Sequence, residues 1–214
     1  MRKNILLSIL VTCIVSNLHS QKKFSNRKID NLKNQVQRLV EEDKKMTQVM
    51  IDKVFSFGEL GFQEFETSKY MGAILEENGF DVEYQVSNIP TSWLATWSNG
   101  EGGPVIALGS DFDGVPSTSQ YPGVAFEKPV VEGAPGHGEG HNIGLPIVVT
   151  SALSLKKIMI ENNIPGTLLI WPGVAEEILG SKAWYVRDGY FDDVDICIFT
   201  HVSTNMSTSW GRPT

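Results

Sequence analysis

The sequence predicts an α/β protein whose central strands run largely parallel. Apolar, strand-like segments alternate along the chain with segments of helical period, the order typical of parallel strands joined by helices. The apolar strand segments also end in a carboxylate or a histidine, at the position where open α/β sheets bind ligands. With 214 residues, 41% apolar and 20% charged, the chain has the size and composition of one or two globular domains.

The first twenty residues predict a secretory signal peptide. Arg2 and Lys3 precede the apolar run ILLSILVTCIV, and the small residue Ser20 offers a cleavage site. The run is too short for a transmembrane helix, and a lipoprotein anchored through Cys13 is a weaker alternative. We therefore expect an exported protein, periplasmic or secreted, that comprises residues 21–214 and has no stable membrane insertion after cleavage.

The charge and cysteine content argue against a nucleic-acid-binding protein and against a fold built on disulfides. Loss of Arg2 and Lys3 with the signal peptide leaves 16 basic and 25 acidic residues, a net charge of −9, which argues against a nucleic-acid partner. Only Cys197 then remains, and a single cysteine forms no internal disulfide. Its neighbours DICIF predict a buried strand in which the thiol packs against other apolar groups.

The first half of the chain predicts two helices and then three strands. Apolar residues at helical spacing from about Asn26 to Phe55 indicate an amphipathic helix, and TSKYMGAILEENGF indicates a second helix closed by Gly79. DVEYQV, SWLATWS and PVIALGSDFD have the composition of strands separated by turn residues. Between Gly114 and Gly140 the regular pattern disappears, and a loop of that length is usually functional.

The second half predicts alternating helices and strands. A core helix is expected to begin near Asn142 as its N-cap, with Pro146 tolerated in its first turns. GTLLIWP then predicts a buried strand, EEILGSKAWYVRDG a helix, VDICIFTHV another buried strand, and NMSTSWG the start of a further strand.

The segment GHGEGHN, residues 136–142, places His137, Glu139 and His141 at alternate positions with glycine between them. In an extended chain this period of two directs all three side chains to one side. From these residues alone, a metal site and a flexible surface loop that happens to contain histidine remain alternatives.

Further candidate ligands follow the predicted strands. Asp111 and Asp113 end PVIALGSDFD, Glu176 and Glu177 follow GTLLIWP, and His201 follows VDICIFT. Ligands in open α/β sheets bind at the carboxyl ends of the strands, so these residues together with the GHGEGHN segment predict a metal site. The two adjacent glutamates taken alone are more typical of the acidic start of a helix.

In their order along the chain, these motifs resemble those of the M20 metallopeptidases and amidohydrolases, and most closely the amidohydrolase branch of that family. ELGFQEFETSKYMGAILEENGFDV is similar to the N-terminal helices of the branch, and SDFDGVP to its D-M-D-A-L-P segment. GHGEGHN is similar to H-x-C-G-H-[DN], GVAEE to P-A-E-E, and FTHVSTN to the strand-end histidine that follows. The resemblance implies a three-layer α/β/α catalytic domain with a mostly parallel central sheet, of which residues 21–214 form the N-terminal part.

The resemblance also implies a centre of one or two divalent metal ions, with zinc expected and manganese or cobalt as alternatives. His141, Glu177 and His201 match metal ligands, and Glu176 matches the general base that takes a proton from metal-activated water. Glu139 stands where the branch usually has cysteine. A carboxylate is a harder ligand than a thiolate, so a ligand role for Glu139 remains chemically sensible but leaves the metal preference open.

Three further residues are expected to lie next to the ligands without binding the metal themselves. Asp111 and Asp113 are interpreted as residues that orient a ligand histidine. His137 is expected either to lie behind the ligands in the same way or to face the substrate.

The activity implied by the resemblance is hydrolysis of C–N amide bonds in N-acyl amino acids or small peptides. Family members continue past Thr214 with a lid and dimerisation domain and a last histidine ligand. A truncated chain is therefore expected, weak or inactive alone, and a homodimer is expected only for a full-length form. The alternative is a non-catalytic metal-binding remnant or one part of a split hydrolase. A sugar or lipid hydrolase gains little support, because the chain has no G-x-S-x-G motif.

Overall fold

The computed structural model of the chain describes residues 24–209. The predicted signal peptide, residues 1–20, lies outside the described residues. The chain divides into two compact units, Met1–Asn34 and Gln35–Thr214. Of the first unit, the structure describes the beginning of helix α1, which spans Asn26–Glu42. All further elements belong to the second unit.

The segment predicted as one N-terminal helix forms two. α1 ends at Glu42, and α2 spans Lys44–Phe57. Gly58 ends α2 in the left-handed conformation, with φ of 54°, which a residue without Cβ adopts at little cost. The next helix, α3, spans Phe65–Glu77, and the chain turns away through Gly79 as predicted.

Five strands form one sheet in the order β1–β2–β4–β3–β5. They are β1 Asp81–Tyr84, β2 Trp93–Asn99, β3 Val105–Asp111, β4 Gly166–Gly173 and β5 Ile196–Thr200. β4, β3 and β5 run parallel, so that Leu108 lies opposite both Ile170 and Ile198. β1 and β2 add antiparallel pairings at the other side of the sheet. The predicted α/β class with parallel central strands is confirmed.

Helix α4, His141–Asn162, covers one face of the sheet. It packs against β3 and β4, and Gly144 in its first turns lies against Ser110. Among the described helices, α4 is long and apolar enough to cross a membrane by length and composition, and half of its most apolar stretch is buried inside the fold. The core helix of a globular domain has the same properties.

Helix α5, Lys182–Arg187, packs against the opposite face of the sheet. Its Tyr185 stands edge-on to Trp171 of β4, with 6.2 Å between the ring centroids. Trp171 also lies over Gly109 of β3. Neighbouring residues of a strand point to opposite faces, so Gly109 and Ser110 place α5 and α4 on opposite sides of the sheet.

One predicted helix is wrong, and the helix predicted to begin near Asn142 has a different N-cap. EEILGSKAWYVRDG does not form one helix: Glu176–Ile178 form a single 3₁₀ turn, and α5 begins at Lys182. The residues on either side of the turn, Ala175 and Leu179, have φ of 55° and 57°, a left-handed conformation that interrupts a helix. Asn142 is not the N-cap of α4, because the helix begins at His141 after Gly140, whose φ is 113°.

The prediction of a buried strand around Cys197 is also wrong. Among the described strands, β5 lies at an edge of the sheet and pairs only with β3. Cys197 is exposed, and Ile196 and Ile198 are each nearly half exposed. The further strand predicted at NMSTSWG does not form within residues 205–209, and the last two residues of that segment lie outside the described chain.

Candidate metal centre

The predicted site residues meet at the carboxyl end of the parallel strands. Asp111 ends β3, His201 follows the last residue of β5, and the turn of Glu176 and Glu177 follows β4. The loop before α4 brings Glu139 and His141 to the same edge. The topological expectation for open α/β sheets therefore holds here.

The donor atoms form two overlapping groups, and within each group they lie within 4.8 Å of one another. The first group contains Asp111, His141, Glu176 and His201, and the second contains Glu139, His141, Glu176 and Glu177. His141 and Glu176 belong to both. The four predicted ligands are thus divided: Glu139, His141 and Glu177 share one group, and His201 lies in the other.

Both histidines direct the same ring nitrogen into the centre. Nδ1 of His141 lies 3.0 Å from the backbone carbonyl oxygen of Asp113, and Nδ1 of His201 lies 2.7 Å from that of Val202. A carbonyl oxygen only accepts, so Nδ1 carries the proton in each ring and donates it. In the neutral imidazole, Nε2 is then the lone-pair nitrogen, the one that can bind a metal ion.

The two Nε2 atoms, of His141 and His201, lie 3.3 Å apart. Two nitrogens each about 2.0–2.1 Å from one tetrahedral zinc ion are separated by roughly 3.3–3.4 Å. Carboxylate oxygens complete the surroundings, because Glu139 Oε2 lies 2.9 Å and Glu176 Oε2 4.0 Å from Nε2 of His141. The donor types and spacing therefore fit a divalent cation.

Asp113 contacts both a candidate ligand and the backbone of another. Its Oδ1 lies 3.3 Å from Nδ1 of His141, and its Oδ2 accepts the N–H of Glu177 at 3.1 Å. The buried carboxylate thus links the loop before α4 to the turn after β4, and it lies behind the histidine, where the sequence predicted an orienting residue.

Asp111 belongs to the first donor group, whereas the sequence predicted it outside the ligand set. Its carboxylate is fully buried, forms an ion pair with Lys182 at 2.8 Å, and lies 3.6 Å from Nε2 of His201. Burial raises the pKa of Asp111 to about 6 despite the neighbouring ammonium group. No sequence pattern indicated Lys182, which belongs to a segment predicted only as a helix.

His137 does not join either donor group. Its Nε2 hydrogen-bonds the carbonyl oxygen of Val54 in α2 at 3.1 Å, and the ring is buried. Burial lowers the pKa of His137 to about 4, so the imidazole is neutral near neutral pH. The alternate spacing of GHGEGHN therefore does not direct all three polar side chains to one place.

The centre attracts positive charge. Burial lowers the pKa of His141, but the hydrogen bond with Asp113 and the charges of Asp111 and Glu139 outweigh it and raise that pKa to about 9. Burial and hydrogen bonding to Glu139 raise the pKa of Glu177 to about 6. A proton on His141 thus relieves the repulsion among these carboxylates, and a metal cation provides the same relief.

Metal affinity is therefore expected to rise with pH. A metal ion needs Nε2 of His141 deprotonated, and the pKa of about 9 means that this atom is protonated at neutral pH in the metal-free chain. Between about pH 7 and about pH 8.5, the apparent association constant for Co²⁺ should increase by about tenfold per pH unit, because about one proton is released per ion bound. Calorimetric titrations at several pH values measure this slope. An affinity that is constant or falls over this range contradicts the proton competition.

One side of the centre is open to solvent. The side chains of His141 and Asp111 are 2% and 0% exposed, whereas those of Glu139, His201 and Glu176 are 40%, 37% and 29% exposed. A cation held here would have a buried wall behind it and free access in front. Catalytic metal sites have this arrangement, because a substrate and a water molecule must reach the ion.

Comparison with known proteins identifies related hydrolases. The chain is 33% identical over 162 residues to a subunit of the p-aminobenzoyl-glutamate hydrolase of Escherichia coli K12, covering 76% of this chain and 33% of that protein. It is 25% identical over 147 residues to N-acetyl-L-cysteine deacetylase of Bacillus subtilis, covering 68% of this chain and 33% of that protein. The chain thus spans about a third of the length of these curated relatives. No protein-family model matches it.

A solved structure shares the fold. A dinuclear metal-binding peptidase of the M20 family from Bacillus subtilis has a TM-score of 0.57 to this chain at 23% identity, over 75% of this chain and 44% of that one. The relatives are metal-dependent hydrolases that act on amide bonds. The homologues and structural neighbours of the chain are amidohydrolases and peptidases of the M20 family. The resemblance found in the motifs is confirmed.

Proposed function

We propose that this chain provides the metal-binding part of an enzyme that hydrolyses amide bonds in N-acyl amino acids or small peptides. The observation that carries the proposal is the convergence of two imidazole Nε2 atoms, 3.3 Å apart, with carboxylate oxygens at a half-open edge of the sheet. Each imidazole is held by a backbone carbonyl through Nδ1, so the donor atoms are fixed before any ion binds.

The candidate ligands are assigned to one or two divalent ions. We assign His141, His201, Glu139 and Glu177 as ligands. The two donor groups overlap at His141 and Glu176. Nε2 of His141 has one lone pair and binds one ion, whereas a carboxylate, with two oxygens, can bridge two ions. All donors are nitrogen or oxygen, a set that suits zinc and also accommodates manganese or cobalt.

Glu176 is assigned as the general base. Its Oε2 lies 4.0 Å from Nε2 of His141, farther than the 2.9 Å of Glu139, and its side chain is partly exposed on the open side of the centre. A bound ion would act as a Lewis acid toward water and the amide carbonyl. Glu176 accepts the proton of the attacking water and passes it to the nitrogen of the leaving amine.

The turn that carries the two glutamates separates their roles. Residues of a 3₁₀ helix are spaced three to a turn, so consecutive side chains diverge by about 120°. Glu176 and Glu177 therefore project in different directions from Glu176–Ile178. This divergence allows Glu177 to hold the ion while Glu176 transfers the proton.

The proposed substrate class rests on the relatives. p-Aminobenzoyl-glutamate and N-acetyl-L-cysteine, the compounds for which two of them are named, are both N-acylated amino acids.

We also propose that residues 1–20 export the protein to the periplasm or the outside of the cell. The mass of the mature protein, which shows whether these residues have been removed, tests this proposal.

The test is a hydrolysis assay of the longest product of the gene, loaded with Zn²⁺, Mn²⁺ or Co²⁺. A panel of N-acyl amino acids and dipeptides is followed by release of the free amino group. Metal-dependent cleavage that a chelator abolishes is expected. A protein that binds the metal but cleaves no member of the panel would instead support the non-catalytic remnant or one part of a split hydrolase.

A further inference from the structure

We propose that Glu64 is a positioning residue whose buried carboxylate holds the turn that presents Glu176 and Glu177. The inference rests on the proposed function, in which those two glutamates serve as base and ligand. Glu64 lies at the beginning of α3, far from both in sequence. None of the motifs that predicted the metal centre includes it as a functional residue.

The carboxylate of Glu64 is fully buried and uses both oxygens. Oε1 accepts the backbone N–H of Ala175 at 2.9 Å, and Oε2 accepts the hydroxyl of Thr91 at 2.8 Å. Ala175 directly precedes the turn of Glu176 and Glu177. The side chain therefore links the beginning of α3 to the residue before the turn of Glu176 and Glu177, across the interior of the fold.

The backbone at Ala175 needs such a partner. Its φ of 55° is in the left-handed region, which L-residues with a Cβ disfavour. The conformation persists only where surrounding contacts impose it. The hydrogen bond from Ala175 to Glu64 is one such contact, since it fixes the direction of the Ala175 N–H.

Two glycines pack against the same residue. A Cβ on Gly61 would lie 2.9 Å from Cβ of Ala175, and a Cβ on Gly180 would lie 2.8 Å from it. Both neighbours thus approach Ala175 as closely as only glycine allows. The segment that precedes α3 packs directly beneath the turn.

A second carboxylate holds the other side of Glu176. Asp113 Oδ2 accepts the N–H of Glu177, while Glu64 Oε1 accepts the N–H of Ala175. The proposed base thus lies between two backbone groups that are each bound to a buried acid. Loss of either bond should allow Glu176 and Glu177 to move relative to His141.

The carboxylate of Glu64 is not expected to be there for the stability of the fold alone. Burial raises the pKa of Glu64 above the ordinary value of a glutamate, and within residues 24–209 no lysine or arginine forms an ion pair with it. A buried carboxylate without a cation is costly unless its hydrogen bonds are needed. Those bonds go to Thr91 and to the turn.

The test compares Co²⁺ binding by the purified 214-residue chain and its variants, using the visible absorption of the bound ion. Glu64→Met removes both acceptors and should weaken Co²⁺ binding by about tenfold or more and change the absorption spectrum. Glu64→Gln keeps an acceptor for the N–H of Ala175, so its affinity should be close to that of the wild type. The control Thr91→Val retains the bond to Ala175 and should bind Co²⁺ normally.

Thermal unfolding of each variant separates positioning from folding. A residue with only a structural role would lower the melting temperature without changing Co²⁺ affinity or spectrum in the folded protein, and that result overturns the proposal. If Glu64→Met does not fold, the double variant Glu64→Met/Thr91→Val, which leaves fewer orphaned polar groups, decides the question. Failure of both to fold also overturns it, because Glu64 is then required for folding itself. A wild-type chain that binds no Co²⁺ contradicts the metal centre instead.

Discussion

Replacing His141 with alanine is expected to reduce the affinity of the chain for Zn²⁺ and Co²⁺ by more than about 100-fold, since even loss of a residue that only orients a ligand costs about 10–100-fold. His141 belongs to both donor groups, and its Nε2 lies within 3.3 Å of donor atoms of both Glu139 and His201. Within the described residues, His201 is the only other histidine in the donor groups, so the variant keeps one imidazole ligand instead of two. Competition titration against a chelator of known affinity measures the loss.

The matched control is His137→Ala in the same loop. His137 is buried and bonded to Val54, outside both donor groups. Its removal should lower the melting temperature but leave metal affinity unchanged in the folded protein. Equal loss of affinity in the two variants would show that the loop as a whole, and not His141 as a ligand, determines binding.

Replacing Glu176 with glutamine is expected to lower the turnover number by about 10²–10⁴-fold while metal remains bound. The amide of glutamine has nearly the shape of the carboxylate but does not accept a proton. In the longest product of the gene, hydrolysis of an N-acyl amino acid and metal content are measured on the same preparation.

The variant Glu177→Gln is the matched comparison for Glu176→Gln. Glu177→Gln removes a proposed ligand, so metal content should fall together with activity. Retained turnover in Glu176→Gln would contradict its role as base. A loss of metal in Glu176→Gln as large as that in Glu177→Gln would instead make Glu176 a ligand, which its membership of both donor groups also permits.

The sequence predicted the architecture well because its signals are repeated over many residues. The apolar segments of β3 and β4 and the core-facing stripe of α4 define parallel strands and a covering helix without any detail of side-chain contact. The same topology brings strand ends to one edge, so it also predicted that Asp111 and His201 lie close together. Their separation of 3.6 Å follows from the parallel register of β3 and β5.

The predictions failed where tertiary contacts override local preference. Ala175 and Leu179 carry no local signal for a left-handed conformation, so the turn at Glu176 was predicted as the start of a helix. Cys197 lies in an apolar run, but strand order, which no single segment encodes, places that strand at an edge of the described sheet. Pairing partners are set by the whole sheet and not by local composition.

In the candidate site, too, local patterns predicted some residues, while those that depend on tertiary contacts were missed. Spacing and strand ends identified every residue of the two donor groups and left His137 outside the ligand set, but they did not predict that its ring turns away to α2. They also missed Lys182 and Glu64, whose relevance depends on contacts with residues far away in the chain. Such supporting residues have no local pattern, because a lysine or glutamate near a helix is ordinary on any protein surface.

Glu139 distinguishes this centre from a thiolate-containing one. Its Oε2 lies 2.9 Å from Nε2 of His141, which is within the range of two ligands of one ion. The only cysteine among the described residues, Cys197, lies exposed in β5 and belongs to neither donor group. A cation in this centre would therefore meet only nitrogen and oxygen donors from the described residues.

X-ray absorption at the zinc edge of the Zn²⁺-loaded chain tests whether these side chains gather around one cation. We expect scattering from two imidazole rings and from oxygen ligands at about 2.0–2.1 Å, with no sulfur shell near about 2.3 Å. His141 and His201 supply the two rings, and Glu139 and Glu177 supply oxygens. A spectrum without imidazole scattering, or with a sulfur shell, would contradict the proposed centre.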